Sequence, residues 1–393
     1  MDCEAFRSSP VGSLVKITGH DHYLGRPYDH FAFVPIPLPA TVPLEERTYK
    51  LVGQAERAIG RLDAATSRLP NPSLLVRPAL YSEAVSTSAL EGTYAPLMEV
   101  LEADYVEQSR QSVEVREILN YVRAAERGLA LIAEKPICVS LINDLQGVLV
   151  RGTRGDVYDA GQLRKRQVYI GERSGGVERS RFVPPPDGDL LIQGMSDWEK
   201  WINADDTIPL LVKVALGHYQ FETLHPFSDG NGRLGRLIMV LQLIYANALR
   251  YPILNLSPYL ELRKEEYKDL LLNSSVSGNF NPWIRFFAEA VVAQAEDAVG
   301  RIDELIKIRQ SMIDLLRAEG AKGVVLDIVE DLIGYPIITP SQAASLHNVT
   351  YPPANAAIQR LVRLGLLREM TGRSYGRVYA CEAVMRAVDQ PRR

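Results

Sequence analysis

Cysteine is scarce in this sequence. Cys3, Cys138 and Cys381 are the only three in 393 residues, odd in number and far apart. That excludes a disulfide framework and a zinc cluster and points to a reducing compartment. Long apolar runs are also missing. The longest, "LIMVLQLIYANAL", is interrupted by Gln242 and Asn247 and is too short to span a bilayer, so it reads as a buried helix. The opening "MDCEAFRSSPVGSLVKITG" has no charged start followed by an apolar stretch, so no secretory leader is expected. Neither sign of charge dominates: the net charge of −4 gives no global pull toward nucleic acid or an anionic membrane. Internal repeats and low-complexity tracts are absent. The expectation is a cytoplasmic protein without membrane attachment, of ordinary globular composition, long enough for two or three domains.

What is present is mostly helical periodicity. The start is irregular, and the proline-rich "FAFVPIPLPATVP" reads as an extended segment lying on something else. Apolar residues at helical spacing begin near Glu45 and run through "LVGQAERAIGRLDAATSRL". A second helix, "SLLVRPALYSEAVSTSALEG", stops at Gly92, a residue suited to a helix C-terminus. Helical patterns recur at 96–108, 113–133, 139–151, 190–203, 207–223 and 233–249. Residues 164–186, "RKRQVYIGERSGGVERSRFVPPP", differ: two β-rich runs around a Ser-Gly-Gly turn predict a hairpin inside a helical protein. The helix from "FNPWIRFF" ends in a long charged connector. Beyond it, "ITPSQAASLHNVTYPPANAAIQRLVRLGLLREMTGRSYGRVYAC" reads as helix, turn, helix and a short hairpin, the order of a winged helix-turn-helix, with Pro352 and Pro353 before the second helix.

One stretch concentrates chemistry. "HPFSDGNGRLGR", residues 225–236, sets a histidine, an aspartate, three glycines and two arginines ahead of a helix with apolar residues at Leu234, Leu237, Ile238, Leu241 and Ile244. A helix N-terminus offers unpaired N–H groups and the positive end of the dipole. Gly230, Asn231 and Gly232 let the backbone curl into a nest for phosphate. Arg233 and Arg236, three apart, share one side of that helix and make room for more than one phosphate. Asp229 would repel a bare anion, but it fits a magnesium ion set between it and the phosphates. His225 can take a proton from an attacking hydroxyl. Each element alone is commonplace. A lone histidine is usually structural, and two arginines at this spacing usually face solvent. The conjunction within twelve positions is what points to polyphosphate chemistry.

The stretch resembles the signature of the Fic domain, H-P-F-x-[D/E]-G-N-G-R-x-x-R, at every fixed position. "HYQFETL", "EVREILNYVRAA", "SPYLELRKEEYKDLL" and "LYSEAVSTSALEGTYAPLMEVL" extend the resemblance over roughly residues 30 to 300. It implies a mainly α fold with a helical core, a β-hairpin flap, and transfer of AMP from ATP to a protein hydroxyl with pyrophosphate leaving. By position it makes His225 the general base, Asp229 the Mg²⁺ ligand, Gly230, Asn231 and Gly232 the phosphate cradle with Arg233 assisting, and Arg236 the partner of the γ-phosphate. Gln167, Val168, Tyr169, Ile170 and Gly171 of the flap would dock the target's backbone as an added strand.

"TSALEG", residues 87–92, carries its own problem. Glu91 falls in the last turn of a helix, against the negative end of the dipole, where a cation elsewhere would offset it. The motif resembles the Fic inhibitory pattern [S/T]-x-x-x-E-[G/N], with Thr87, Glu91 and Gly92 at its fixed points. The resemblance implies that Glu91 pairs with Arg236 and denies the γ-phosphate its partner. The expected division is an N-terminal region with the inhibitory helix (1–110), a catalytic core (111–300), a helical linker (301–320) and a winged-helix domain (321–393). That last domain holds nine Lys or Arg against six Asp or Glu. This balance is too modest to decide between DNA binding, with Arg373 and Arg377 at the wing and Asn355 and Gln359 on the second helix, and protein docking. Three readings stay open: an auto-inhibited adenylyltransferase, a DNA-binding regulator whose core senses nucleotide, and a hydrolase that removes AMP with Glu91 orienting a water. The expected partners are a protein target, the chain itself included, a second copy in a homodimer, and DNA.

Overall fold

The computed structural model describes residues 1–21, 24–105, 110–171, 175–372 and 375–389. After a short helix α1 (Cys3–Phe6), two ten-residue strands, β1 (Gly12–Asp21) and β2 (Arg26–Pro35), pair antiparallel over their whole length. This hairpin corrects the expectation of an irregular start. Its buried residues, Ile17, Asp21, Ala32 and Phe33, are few, and charged side chains such as Lys16 and Asp29 pair across its outer face. Period-two hydrophobicity is therefore faint. The segment that follows does lie extended on the core: Ile36, Pro39 and Pro43 each give a carbonyl to a side chain, those of Gln220, Trp201 and Asn281.

The helices follow in chain order as α2 (Glu46–Thr66), α3 (Val76–Leu90), α4 (Leu97–Glu102), α5 (Val113–Ile132), α6 (Val139–Val150), α7 (Asp189–Ile202), α8 (Leu210–Leu224), α9 (Asn231–Tyr245), α10 (Ser257–Leu262), α11 (Lys264–Ser277) and α12 (Asn281–Ala318). Residues 106–108 of the helix expected over 96–108 lie outside the described residues. Most helices are amphipathic and bury one stripe. Helices α8 and α9 are buried nearly all round, so they form the centre on which the others pack. Two tryptophans lock the layer: Trp198 donates to the carbonyl of Gly217 (2.8 Å) and Trp283 to that of Ala215 (2.8 Å). Cutting either back to alanine would cost about 3–5 kcal/mol. The region expected as a linker is the second half of α12, unbroken to Ala318, and it buries Ile302, Leu305, Met312, Ile313 and Leu316.

The C-terminal part contains α13 (Val324–Asp331), β3 (Ile337–Ile338), α14 (Pro340–Leu346), α15 (Tyr351–Arg363), β4 (Arg368–Glu369), β5 (Tyr379–Ala380) and α16 (Glu382–Asp389), with its three strands ordered β3-β5-β4. Arg373, Arg392 and Arg393 lie outside the described residues. This part braces the start of α3. The guanidinium of Arg77 lies between the rings of Tyr81 (4.7 Å) and Tyr335 (5.3 Å), and Gly334 lets the chain approach Leu74 closely.

The 164–186 hairpin is much reduced. Among the described residues it has a single antiparallel bridge, Ile170 to Phe182, and a 3-10 turn at Val177–Arg179; Ser174 of the expected turn lies outside the described residues. Prolines 184–186 have no N–H to extend a ladder. The base is tied by Arg164, which is 2% exposed and donates to the carbonyls of Arg166 (3.1 Å), His225 (2.9 Å) and Pro185.

Candidate active site

The loop between the two buried helices α8 and α9 is tightly turned, because both ends are fixed in the core. His225 ends α8 in the left-handed region (φ 48°), and Gly230 opens α9 in the same region (φ 83°). Asn231 closes the loop on itself: its side chain accepts from the N–H of Phe227 (2.9 Å) and donates to the carbonyl of Phe227 (2.8 Å). Its amide is thus spent on shape, and only its main-chain N–H remains for a ligand. Asp229 accepts from the N–H of Gly230 (2.6 Å) and stays half-exposed, with room left by Gly155, where a Cβ would come within 2.2 Å of the carboxylate.

The two arginines of α9 are both buried, with side chains 4% exposed for Arg233 and 2% for Arg236, yet they are served unequally. Arg236 is held through three of its five N–H donors: Nε donates to Thr87 Oγ1 (2.7 Å), and Nη2 donates to the Thr87 carbonyl (3.0 Å) and to Glu91 Oε1 (2.6 Å). Arg233 has Glu117 at 3.8 Å and Asp229 at 3.7 Å, beyond hydrogen-bonding range, and its Nε and Nη1 are buried without a hydrogen-bond partner. Buried guanidinium donors left unmade are costly, and an anion at this helix N-terminus would relieve them.

Glu91 follows the end of α3, and Gly92 (φ 87°) turns the chain away, with the N–H groups of Gly92 and Thr93 reaching back to Ala89 and Ser88 (both 3.0 Å). Burial would push the Glu91 carboxyl up, but Arg236, with Arg233 and His225 behind it, holds it below the usual range. Its carboxylate covers Gly232 so closely that a Cβ there would lie 2.1 Å from Oε1. Glu91 therefore occupies the first turn of α9, the place of the nest.

His225 faces the same cleft with its side chain 22% exposed. Burial and the neighbouring Arg164 push its imidazole down to about 4, against the pull of Glu91, so the ring is neutral near pH 7. The cleft, open to solvent, has a polar floor of Glu91, Glu222, His225, Gly232 and Arg236 and an apolar wall that includes Leu90, Ile170, Phe182 and Leu271. An amphipathic cleft with convergent polar groups suits a nucleotide. Of the flap residues, Ile170 reaches the cleft. Gln167 donates to the carbonyls of Val168 and Pro184 (2.8 and 2.9 Å), Tyr169 donates to Asp21 (2.9 Å), and Gly171 (φ 138°) lies against the backbone of Arg181. Glu222, Glu117 and Arg164 were not singled out from the sequence. Each is an ordinary charge in a helix or loop until burial and partners are known.

Residues 49–130 match the Fic/DOC family N-terminal region, and residues 136–243 match the Fic/DOC family domain, which contains the whole of this loop. The chain carries a Fic/DOC N-terminal region and a Fic/DOC domain in these two stretches. It is 29% identical over 253 residues to a protein adenylyltransferase Fic of Drosophila mojavensis, covering 63% of this chain and 46% of that protein. It is 34% identical over 136 residues to one of Culex quinquefasciatus, covering 34% and 24%. The chain thus spans less than half the length of these curated relatives. The solved structure of a Fic family protein from Desulfovibrio desulfuricans shares the fold at 19% identity (TM-score 0.55), over 88% of this chain and 98% of that one. Fic-1 from C. elegans does so at 21% identity (TM-score 0.50), over 65% and 73%. Among the described residues no helix is long and apolar enough to cross a membrane.

Proposed function

We propose that this Fic protein is an auto-inhibited adenylyltransferase that moves AMP from ATP to a Ser, Thr or Tyr hydroxyl of a protein, with Glu91 as the brake. The observation that carries the reading is the unequal service of the two arginines: Arg233 keeps unpaired donors over the nest, while Arg236 is held by Glu91. In the active state, the N–H groups of the first turn of α9 and Arg233 bind phosphate oxygens, and Arg236, freed of Glu91, takes the γ-phosphate. His225, neutral near pH 7, accepts the proton of the target hydroxyl as its oxygen bonds to the α-phosphorus, and the bond to the β-phosphate breaks to release pyrophosphate. Asp229, one half-exposed carboxylate beside the phosphate site, fits a Mg²⁺ that shares its coordination with phosphates and water, and the ion would neutralise charge on the leaving group. A target segment would lie beside Gln167, Val168, Tyr169, Ile170 and Gly171, with Ile170 touching it at the cleft. Positioning and charge stabilisation carry most of the catalysis.

Labelled ATP with Mg²⁺ tests this. Glu91→Gly raises transfer to protein or to the chain itself, and His225→Ala abolishes it. Equal label on wild type and Glu91→Gly rejects the brake.

Removal of AMP by the same site is favoured by one feature: the side chain of Glu91 is 41% exposed, so it can reach a water near His225. Mass analysis of an AMP-modified protein incubated with the chain decides the direction. Residues 321–389 we read as a winged helix, because α14 and α15 lie between the first strand and the other two of a small sheet whose last strand lies in the middle. Docking to protein suits it better than DNA: Gln359 donates to the hydroxyl of Tyr379 (2.8 Å) and Arg360 to the carbonyl of Glu319 (2.5 Å), which takes both from base or phosphate reading. A salt-dependent gel shift would overturn that preference. A homodimer, proposed from the resemblance, is checked by light scattering.

A further inference from the structure

The cleft contains an acid that nucleotide binding does not need. Glu222 lies one turn before His225 on α8, with its side chain 14% exposed, its Oε1 buried without a hydrogen-bond partner, and its Oε2 3.9 Å from His225 Nδ1. That Nδ1 is likewise buried and unpartnered. The main-chain carbonyl of Glu222 also lies toward the ring but outside hydrogen-bonding geometry. A second feature shows that the acid is seated and not stray. Gly235 of α9 faces it, and a Cβ at that position would lie 2.6 Å from Oε1 and 3.2 Å from the ring of His218. The glycine of "GRLGR" therefore leaves the space that the carboxyl occupies. An unpaired acid is a poor neighbour for a triphosphate, so its retention beside an unpaired imidazole nitrogen calls for a role.

We propose that Glu222, seated in the space Gly235 leaves, is a positioning residue for His225: its carboxylate takes the Nδ1 hydrogen, turns Nε2 toward the cleft and offsets the imidazolium formed when the acceptor loses its proton. The inference rests on reading His225 as the base. The gap of 3.9 Å closes by a small rotation of either side chain or through one water. Nothing is consumed in the step. The proton moves from the target hydroxyl to Nε2, and Nδ1–H stays shared with Glu222, as the acid partner of a catalytic histidine requires.

The charges facing Glu222 set when it can act. Burial pushes its carboxyl up to about 7, Arg236 of α9 opposes this, and Glu91 at the end of α3 adds to it. Arg236 and Glu91 also face Tyr267 of α11, whose hydroxyl is 2.6 Å from His218 of α8, and Arg164 before the flap faces His225. His225 is already neutral where Glu222 ionises, so ionisation of the acid polarises the ring without charging it.

The test is titration of the His225 ring nitrogens by NMR in the full chain, assigned by the signal lost in His225→Ala. The wild type shows an inflection near pH 7 although the ring stays neutral. Glu222→Gln, of the same shape, erases it. Gly235→Ala, which crowds Oε1 and leaves the acid present, displaces or erases it, and Glu83→Gln, which changes a second buried acid bonded to Ser257 and not near the His225 ring nitrogens, leaves it. No inflection in the wild type, or one that persists unchanged in Glu222→Gln, overturns the proposal. In the Glu91→Gly background, Glu222→Gln lowers the transfer rate at pH 8 at least tenfold with the KM for ATP within twofold, and flattens the rise in rate through pH 7. A rate loss that keeps this rise marks a merely structural role and also overturns it. If Glu91→Gly transfers no AMP at all, the catalytic reading fails, and the nitrogen titration still decides whether Glu222 holds the ring.

Discussion

Replacing Glu91 by alanine separates what the proposed brake does for the fold from what it denies to a ligand. The carboxylate makes a 2.6 Å charge-assisted bond to Arg236, whose side chain is 2% exposed. Breaking a fully buried ion pair costs about 3–5 kcal/mol, and an exposed pair is worth at most about 1 kcal/mol. Glu91 is 41% exposed and Arg236 keeps both bonds to Thr87, so the loss belongs near the lower end, at about 1–2 kcal/mol. Relief of a negative charge at the C-terminal end of α3 returns about 0.3–1 kcal/mol. The ligand-free variant should therefore melt only a few degrees below wild type, roughly 2–4 °C at most. Mg-ATP reverses the order. A γ-phosphate on the freed guanidinium makes a charged hydrogen bond of about 1.5–3 kcal/mol, equivalent to roughly 10- to 150-fold in affinity, and mass action turns this into a larger rise in melting temperature for the variant. ADP, which lacks that phosphate, should raise both proteins alike. Thermal melts of the two proteins, each with no ligand, ADP or ATP, carry the whole test. An ATP increment equal in both proteins, or an ADP increment as large as that of ATP in the variant, refutes the idea that Glu91 and the γ-phosphate compete for Arg236.

Other expectations follow from the same geometry. Burial pushes the carboxyl of Glu83 from 4.5 up to about 7, even though it accepts two bonds from Ser257. The native state then holds this proton more tightly than the unfolded chain, so the group costs stability as pH rises from about 4.5 to 7. Glu83→Gln should be more stable than wild type by about 1–3 kcal/mol at pH 8 and nearly equal to it at pH 4.5, as measured by urea denaturation. Arg164→Ala orphans four carbonyls, those of Arg166, Pro185, Leu224 and His225, that tie the flap to the loop before α9. It should cost about 3–5 kcal/mol and expose residues 165–186 to limited proteolysis; resistance equal to wild type would show that the flap is held elsewhere. Tyr335→Ala removes one ring from Arg77 and should speed amide exchange in the first turns of α3, read by mass spectrometry.

The helical frame is legible in the sequence because one-face burial writes a 3.6-residue period, and α2, α5 and α7 keep it. The loop between α8 and α9 is legible for a different reason: glycine, aspartate and arginine are crowded where a helix must begin, and few other tasks need that mixture. The β1–β2 hairpin is hidden because it buries so little of itself and pairs charged side chains on its open face. The flap's two β-rich runs suggest more pairing than the single Ile170–Phe182 bridge, since nothing in "RKRQVYIG" shows that Arg164 will be buried and tie the base instead. Glu222 stands in plain view in "FETLHPF". What sets it apart is its lack of a partner and the space left by Gly235, and both depend on how α8 and α9 meet in space.

The charge arrangement of the cleft also implies an order of events. In the resting chain Arg233 has no hydrogen bond at Nε or Nη1, and the carboxylates near it, Glu117 and Asp229, stand too far away to supply one. Arg236 already makes three bonds, one of them to Glu91. An arriving polyphosphate gains most by meeting Arg233 first, since it satisfies orphaned donors there and displaces nothing. Only then does a second phosphate compete with Glu91, and Glu91 covers Gly232 as well as Arg236, so a single side-chain movement opens both the nest and the clamp. Arg233→Ala should therefore weaken ATP binding in the wild type and in Glu91→Ala alike. Arg236→Ala should weaken it strongly in Glu91→Ala and only slightly in the wild type, whose Arg236 is already taken. Calorimetric titration of the four proteins measures the difference, and equal losses for Arg236→Ala in both backgrounds would show that the second arginine is not withheld by the first occupant of its site.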